Sequence, residues 1–315
     1  MKRFWFIITG CNLCLLLWSQ QEVGFSQYFT AMGYYNPAYA GTSGDMNVVM
    51  QSRLQWYGAI QNAPASAFVA ADMPWNFRNM QHGLGIVASY DKASSLYQRV
   101  NMAAQYAYRK KIGKGMLSAG LQAGLINETF RGDSVRVNES EGDDPIIARM
   151  AVNGKSLDLA FGLYYATDKY YVGIASSHLL APTLNLDENM EMQVDRIYNL
   201  TAGYNIQTKN PLIDLQPSLF VLTNLQMAAG DITARIVYNK MYNGGLGVRI
   251  NDMAGVNAVI FYLGADIKSF RLGYAYDFPT SVISKIGSHE LMLSYKVELE
   301  KPKGKRNRHK SVRIL

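Results

Sequence analysis

The chain offers few residues equipped for chemistry. Its histidines are His82, His178, His289 and His309, and its cysteines are Cys11 and Cys14. A hydrolytic site needs a histidine with a serine or acid in reach. Ser177 and His178 are adjacent, but neighbouring strand residues point to opposite faces, so they do not easily meet. His82 stands at a strand start, His289 in a terminal-strand motif and His309 in a basic tail. The acidic runs Glu139, Glu141, Asp143, Asp144 and Asp187, Glu188, Glu191 carry oxygens of the kind calcium favours, without the ordered spacing of a calcium loop. They read as solvated loops. The string RGDS from Arg131 is too short to carry weight, and no Gly-rich phosphate loop follows a strand and opens a helix. No enzyme and no cofactor is expected.

The elements around these residues begin with a leader. Lys2 and Arg3 precede an apolar run from Phe4 to Trp18, and Ser19 precedes the polar Gln20, Gln21 and Glu22. This reads as a signal peptide over residues 1–19. Two alternatives are a retained anchor, for which the run is short of about 20 residues, and lipidation at Cys11 within ITGC. After cleavage the chain keeps no cysteine, which removes disulfides, thiolate metal sites and cysteine nucleophiles together. The net charge of +7 is unevenly placed: residues 301–315 hold seven Lys/Arg and no acid, and the leader holds two more. The remaining body, with 22 basic and 24 acidic residues, is near neutral and gives no reason to expect nucleic acid.

From residue 46 to 299 the pattern has period two. Leu157, Leu159, Phe161, Leu163 and Tyr165 alternate with Asp158, Ala160, Gly162 and Tyr164. Met102, Ala104, Tyr106 and Tyr108 alternate with Asn101, Ala103, Gln105, Ala107 and Arg109, and Leu291, Leu293, Tyr295, Val297 with Glu290, Met292, Ser294, Lys296. Strand side chains alternate faces, so each segment has one greasy face and one small or polar face. A soluble sandwich would expose many Lys, Glu and Thr on its second face; here Gly, Ala, Ser, Asn and Gln dominate, as suits a crowded barrel interior. Aromatics near segment ends, at Trp56, Tyr57, Tyr170 and Tyr171, suit interfacial girdles. A lipid-facing β chain must close on itself. The expected fold is an all-β, transmembrane antiparallel barrel of about 14 strands, at 46–57, 64–73, 82–91, 97–110, 115–129, 156–167, 169–179, 196–208, 211–223, 231–240, 244–251, 255–264, 266–277 and 289–299.

The joins agree with that count. Residues 130–155, 180–195 and 278–288 are long and follow odd strands, whereas IGKG, TDK and TKNP are tight and follow even ones. Long outer loops and short periplasmic turns are usual in such barrels, which places both termini in the periplasm of a Gram-negative bacterium. The tail over 300–315, with Lys303, Lys305, Arg306, Arg308 and Lys310, then reads as a disordered basic segment. It could meet an acidic partner surface or the anionic cell wall, or simply stay solvated.

Before the first strand lies FSQYFTAMGYYNPAYAGTSGD. With QWYG from Gln55 and SHELMLSYKV in the last strand, it resembles the PorP/SprF family of type IX secretion membrane proteins of Bacteroidetes. Phe25, Ser26, Gln27 and Tyr28, then Asn36, Pro37, Ala38, Tyr39, Ala40 and Gly41, carry the likeness most specifically. The resemblance implies an outer-membrane barrel serving secretion or gliding, associated with the periplasmic ring lipoprotein complex, with a large secreted surface adhesin, or with both. Barrels of this type commonly end on an aromatic residue, whereas this chain continues past Leu299. Two function classes remain: an anchoring or scaffold barrel, and a solute-conducting or substrate-specific channel.

A lumen bounded by about 14 strands is wider than wall side chains alone fill. Residues 20–45 could fold into it: Asn36-Pro37 and Gly41 would shape a turn, while Tyr34, Tyr35 and Tyr39 supply bulk with a polar tip. The alternative is a lead-in under the rim that only helps assembly.

Overall fold

The computed structural model describes residues 22–58, 63–78, 80–93, 97–131, 151–187, 190–252, 255–280 and 286–299. Outside them lie the leader with Cys11 and Cys14, the acidic run Glu139 to Asp144, most of RGDS, Glu188, and the tail with His309 and Lys303, Lys305, Arg306, Arg308 and Lys310.

The strands are β1 Met46–Leu54, β2 Ala65–Phe77, β3 Met80–Lys92, β4 Tyr97–Ile112, β5 Gly115–Arg131, β6 Ala151–Ala166, β7 Tyr170–Ser177, β8 Thr183–Asp187, β9 Met190–Gln193, β10 Ile197–Tyr204, β11 Ile206–Gln207, β12 Ile213–Thr223, β13 Ala228–Tyr238, β14 Tyr242–Asn251, β15 Gly255–Ile267, β16 Phe270–Pro279 and β17 Ser288–Val297. Each wall strand pairs antiparallel with its neighbours, β10 pairs with β12, and β1 pairs with β17. The result is a closed 14-stranded barrel, with β11 a short continuation of β10 and β8–β9 a separate hairpin. Closure leaves no sheet edge, which a lipid-facing strand could not tolerate.

The two parities divide as the sequence predicts. Leu121, Leu125, Leu157, Ile174, Leu263 and Leu291 stand exposed on the outside, while Ala103, Gln105, Ala160, Thr201, Thr233 and Glu290 are buried inside. A girdle of rings circles the end with the tight turns, including the Tyr170–Tyr204 stack at 6.4 Å and Phe270 against Tyr295 at 4.7 Å. Tyr171 corrects the expected girdle. It shares the inward parity of Gly173 and Ala175 and stacks on Tyr164 at 5.9 Å.

Two boundaries, at Pro74 and over 180–195, depart from expectation, and two prolines are accommodated for the same physical reason. β2 continues through Pro74, because β1 reaches only to Asp72 of β2 and leaves the next residues without a partner on that side. A missing N–H costs nothing there. Pro217 lies inside β12 where β10 has ended at Ser218 and β11 begins at Leu215, again at a gap in the neighbouring ladder. The join 180–195 contains the β8–β9 hairpin, and Val194 beyond it packs on inward-facing Ile126.

Residues 22–45 run along the inside. Glu22, Val23 and Gly24 line the same opening as Gln55, Trp56 and Pro64 beyond the end of β1. The segment then passes through the short helix α1, Met32–Tyr35, and a 3-10 turn, Pro37–Tyr39, before β1 starts at the opposite end. There the Leu299 N–H donates to Asp45 at 3.3 Å. Glu22 and Leu299 therefore lie at opposite ends of the barrel; the termini themselves, expected in the periplasm, lie outside the described residues.

Candidate functional site

The residues singled out before strand one gather within the lumen. Phe25, Tyr28, Tyr35 and Ala38 are among the most deeply buried side chains described, and Ser26, Gln27 and Asn36 are buried polar ones. The Tyr35 hydroxyl donates to Val23 O at 2.8 Å and accepts from Phe25 N at 2.9 Å, which closes the segment on itself. Rings then fill the space between segment and wall. Tyr34 stacks on Phe68 of β2 at 5.0 Å, and Tyr28 stacks on Phe220 of β12 at 5.0 Å. Phe25 meets Phe68 edge-on at 5.1 Å, and Tyr39 meets Tyr164 of β6 at 5.5 Å. Burial pushes the Tyr28 phenol up to about 12 and those of Tyr34 and Tyr35 well above their usual value; Tyr39 moves the same way. All four stay neutral at physiological pH.

An ion node holds the first turn. Glu290 of β17 accepts from the backbone N–H groups of Ser26 at 2.8 Å and Gln27 at 2.7 Å, and from Gln51 Nε2 of β1 at 2.7 Å. The Ser26 hydroxyl donates to Asp277 of β16 at 2.6 Å. Arg53 of β1 bridges Asp277 at 2.5 Å and Glu290 at 3.3 Å. Arg249 of β14 forks onto Asp231 of β13 at 2.8 and 2.7 Å and reaches Asp277 at 3.0 Å. Five strands are thus tied to two backbone amides and one hydroxyl. Tyr28 extends the tie through its hydroxyl to Ser218 at 2.7 Å and Thr233 at 2.8 Å, and the Arg235 guanidinium lies 3.5 Å from the Phe29 ring centre.

The second half of the segment is held by close fit. Asn36 Nδ2 donates to Leu163 O at 3.1 Å and Ile174 O at 3.3 Å, while its Oδ1 caps the 3-10 turn by accepting from Ala38 N at 2.9 Å. Asn199 and Gln105 donate to Tyr35 O at 2.9 Å and Gly33 O at 2.7 Å. The wall admits this backbone because Gly120 faces Pro37 and Ala38, and Gly83 faces Ala40; a side chain at either would overlap the segment. Gly41 needs its own type of residue for a second reason, its φ of +72°. Its N–H donates to Asp72 at 2.8 Å, and its carbonyl accepts from Arg109.

Sequence reasoning missed the wall partners: Arg53, Asp231, Arg249, Asp277 and Glu290, together with Asn199 and Gln105. The available signal was isolated, oppositely charged residues on the parity that should face inward. The Ser177–His178 pair resolves differently from its spacing. His178 leaves the strand with φ of +55° and brings Nδ1 within 3.0 Å of the buried Asp158 carboxylate. His82 and His289 instead sit on the outer face, bonded to Tyr106 at 2.7 Å and Tyr274 at 2.8 Å. Among the described residues no group of three or more His, Cys, Asp or Glu is placed to hold a metal ion.

Known structures share the architecture. A deltaS2S3 mutant of the monoaromatic hydrocarbon channel TodX is similar over 84% of this chain and 93% of its own, with TM-score 0.50 and 10% identity. The Pseudomonas putida toluene transporter TodX covers 88% and 94% at TM-score 0.48 and 10% identity. The Acinetobacter baumannii outer membrane protein Omp33 covers 80% and 98% at 0.47 and 6%. At these identities the first likeness shows an outer-membrane barrel fold and no more. No curated protein matches the chain by sequence. The family pattern described as type IX secretion system membrane protein PorP/SprF matches residues 18–295, a span that includes both the lumen segment and the strands that grip it. The chain belongs to the PorP/SprF family of type IX secretion system membrane proteins.

Proposed function

We propose that this protein is a plugged outer-membrane barrel that serves the type IX secretion and gliding apparatus as an anchor or scaffold, binding a secreted surface adhesin, periplasmic ring components, or both. The observation that carries this reading is the filling of the lumen by residues 22–45, tied by side chains of Arg53, Asp277 and Glu290 at one end and by Asn36 and Gly41 toward the other. A segment held by many buried contacts suits a fixed element better than a gate. The aromatic and polar residues Phe25 to Tyr28 and Tyr34 to Gly41 act as the plug.

Orientation follows from the joins. The end with the long connections is the outer one, and the end with the tight turns is periplasmic. The start of the lumen segment, at Glu22, then opens outward, and the chain beyond Leu299 enters the periplasm. In this reading the basic tail, with Lys303, Lys305, Arg306, Arg308 and Lys310, would meet an acidic face of the ring complex through its charge.

The alternative is a channel, the role for which the similar TodX mutant is named. A polar vestibule of about 520 Å³ above Arg53 and Arg249 would be its outer chamber. Full-length protein in planar bilayers separates the readings. The plugged barrel predicts no steady conductance, together with copurification of a large surface protein or ring components from native membranes. A steady open pore without such partners would overturn it.

A further inference from the structure

The lipid-facing wall is not smooth. Between β6, β7, β10 and β12 it holds a concavity of about 410 Å³, lined by Phe161, Ile174, Ser176, Tyr198, Leu200 and Val221. These residues share the outward register: Ser176 lies opposite Phe161 and Tyr198, and Leu200 lies opposite Ile174 and Val221. The wall dips because serine stands where its neighbours carry rings. Ser176 Oγ is shielded from solvent and has no hydrogen-bond partner among the described protein atoms.

The dip lies near the outer ends of its strands. Ser176 is the penultimate residue of β7, Tyr198 the second of β10, and Thr223 the last of β12. Exposed Arg196 precedes Tyr198 by two residues, roughly 7 Å along an extended chain, and its Nε donates to Leu179 O at 2.9 Å. The adjacent acid, Asp195, accepts from Asn224 at 3.1 Å.

We propose that this groove seats one acyl chain of a phosphorylated lipid of the outer leaflet, with the phosphate toward Arg196. A hydrocarbon chain recovers dispersion contacts that an empty apolar groove forfeits. The volume falls within the range of about 300–1,000 Å³ usual for small-molecule sites, and a cation at the membrane surface favours an anionic headgroup. The assignment rests on the bilayer placement of the wall.

Native mass spectrometry of the full-length protein, extracted from its own outer membrane in mild detergent, tests it. Wild type is expected to retain one phosphorylated lipid per barrel. Ser176→Phe, which fills the dip from the lipid side, should retain at least tenfold less, and Arg196→Gln about fivefold less, the worth of one surface cation. Equal retention by wild type and Ser176→Phe overturns the assignment, as does a bound population matching bulk membrane composition. A barrel that inserts in membranes yet holds no lipid sinks the groove alone. A chain that stays soluble without detergent would instead sink the membrane reading beneath it.

Discussion

The two halves of the lumen segment are held by opposite means. Phe25 to Tyr28 sits in an ion node, where Glu290 and Asp277 face Arg53 and Arg249 with almost no solvent contact. Asn36 to Gly41 is gripped mainly by shape, through wall glycines and one side-chain amide that bonds two wall carbonyls, with charged contacts only at its end, from Asp72 and Arg109 to the Gly41 backbone. Buried charges are costly to desolvate and stay only if paired and hydrogen-bonded, so removing one partner strands the others. Close fit fails by displacement: a Cβ at Gly120 would overlap Ala38 N, so the segment itself has to move while the charges stay paired. The node therefore sets position and register, and the fitted half adds tightness.

Breaking the node should have the largest effect. Glu290→Ala leaves the Ser26 and Gln27 N–H groups and the Gln51 amide without their acceptor and Arg53 with Asp277 as its one carboxylate, and is expected to cost about 3–5 kcal/mol, read as urea unfolding of the barrel in micelles. Residues 22–45 should become cleavable by added protease in the same variant. Replacing Arg53 and Glu290 together by methionine should cost less than the sum of the single changes, because neither charge is then left alone. If the two losses simply add, the node does not act as a unit.

The fitted half predicts intermediate losses. Gly120→Val drives a side chain into Pro37 and Ala38 and should destabilise by about 1–3 kcal/mol, with the segment displaced and the outer wall unchanged. Asn36→Ala should cost about 1–3 kcal/mol, because two carbonyls and one N–H lose a partner inside the barrel. Equal losses for Glu290→Ala and Asn36→Ala would erase the contrast between the halves.

The smallest effect is a pH dependence. Tyr28, Tyr34, Tyr35 and Tyr39 are all held neutral by burial, with Tyr28 pushed up to about 12. A raised phenol pKa contributes stability that is fully present below the unfolded value near 10 and lost as pH rises through the folded value. Packing of the segment should be constant to pH 10 and weaken toward 12. Ultraviolet titration checks this: these tyrosines should ionise later than the exposed ones, and ionisation of all tyrosines near 10 would contradict it.

Much of the wall was legible because period two is a local signal. Leu157 to Tyr165 and Leu291 to Val297 could be assigned to one face without knowing their neighbours, and the count of 14 strands followed. The segment's unusual composition, Asn36-Pro37 among tyrosines, was legible too. Its grip was not. Ser26 meets Asp277 and Glu290 across 251 and 264 residues of chain, a relation set by barrel closure between β1 and β17. The strand end at Pro74 was misread because a proline's cost depends on whether a neighbour needs its N–H, which only the register reveals. Residue 178 likewise gave no local sign that a positive φ would turn its ring to Asp158.

A disulfide between the segment and the wall tests the central claim most directly. A Cβ at Gly85 would lie 3.4 Å from that of Ala40, at the short edge of the range of about 3.5–4.5 Å that a disulfide spans. With Cys11 and Cys14 the natural cysteines, an Ala40→Cys, Gly85→Cys chain processed after the leader offers one pair. Oxidised in intact outer membranes, that pair should cross-link nearly completely and shift the protein's mobility on a non-reducing gel. Two freely alkylated thiols in a folded, membrane-inserted barrel would mean that the lumen is not where residues 22–45 reside.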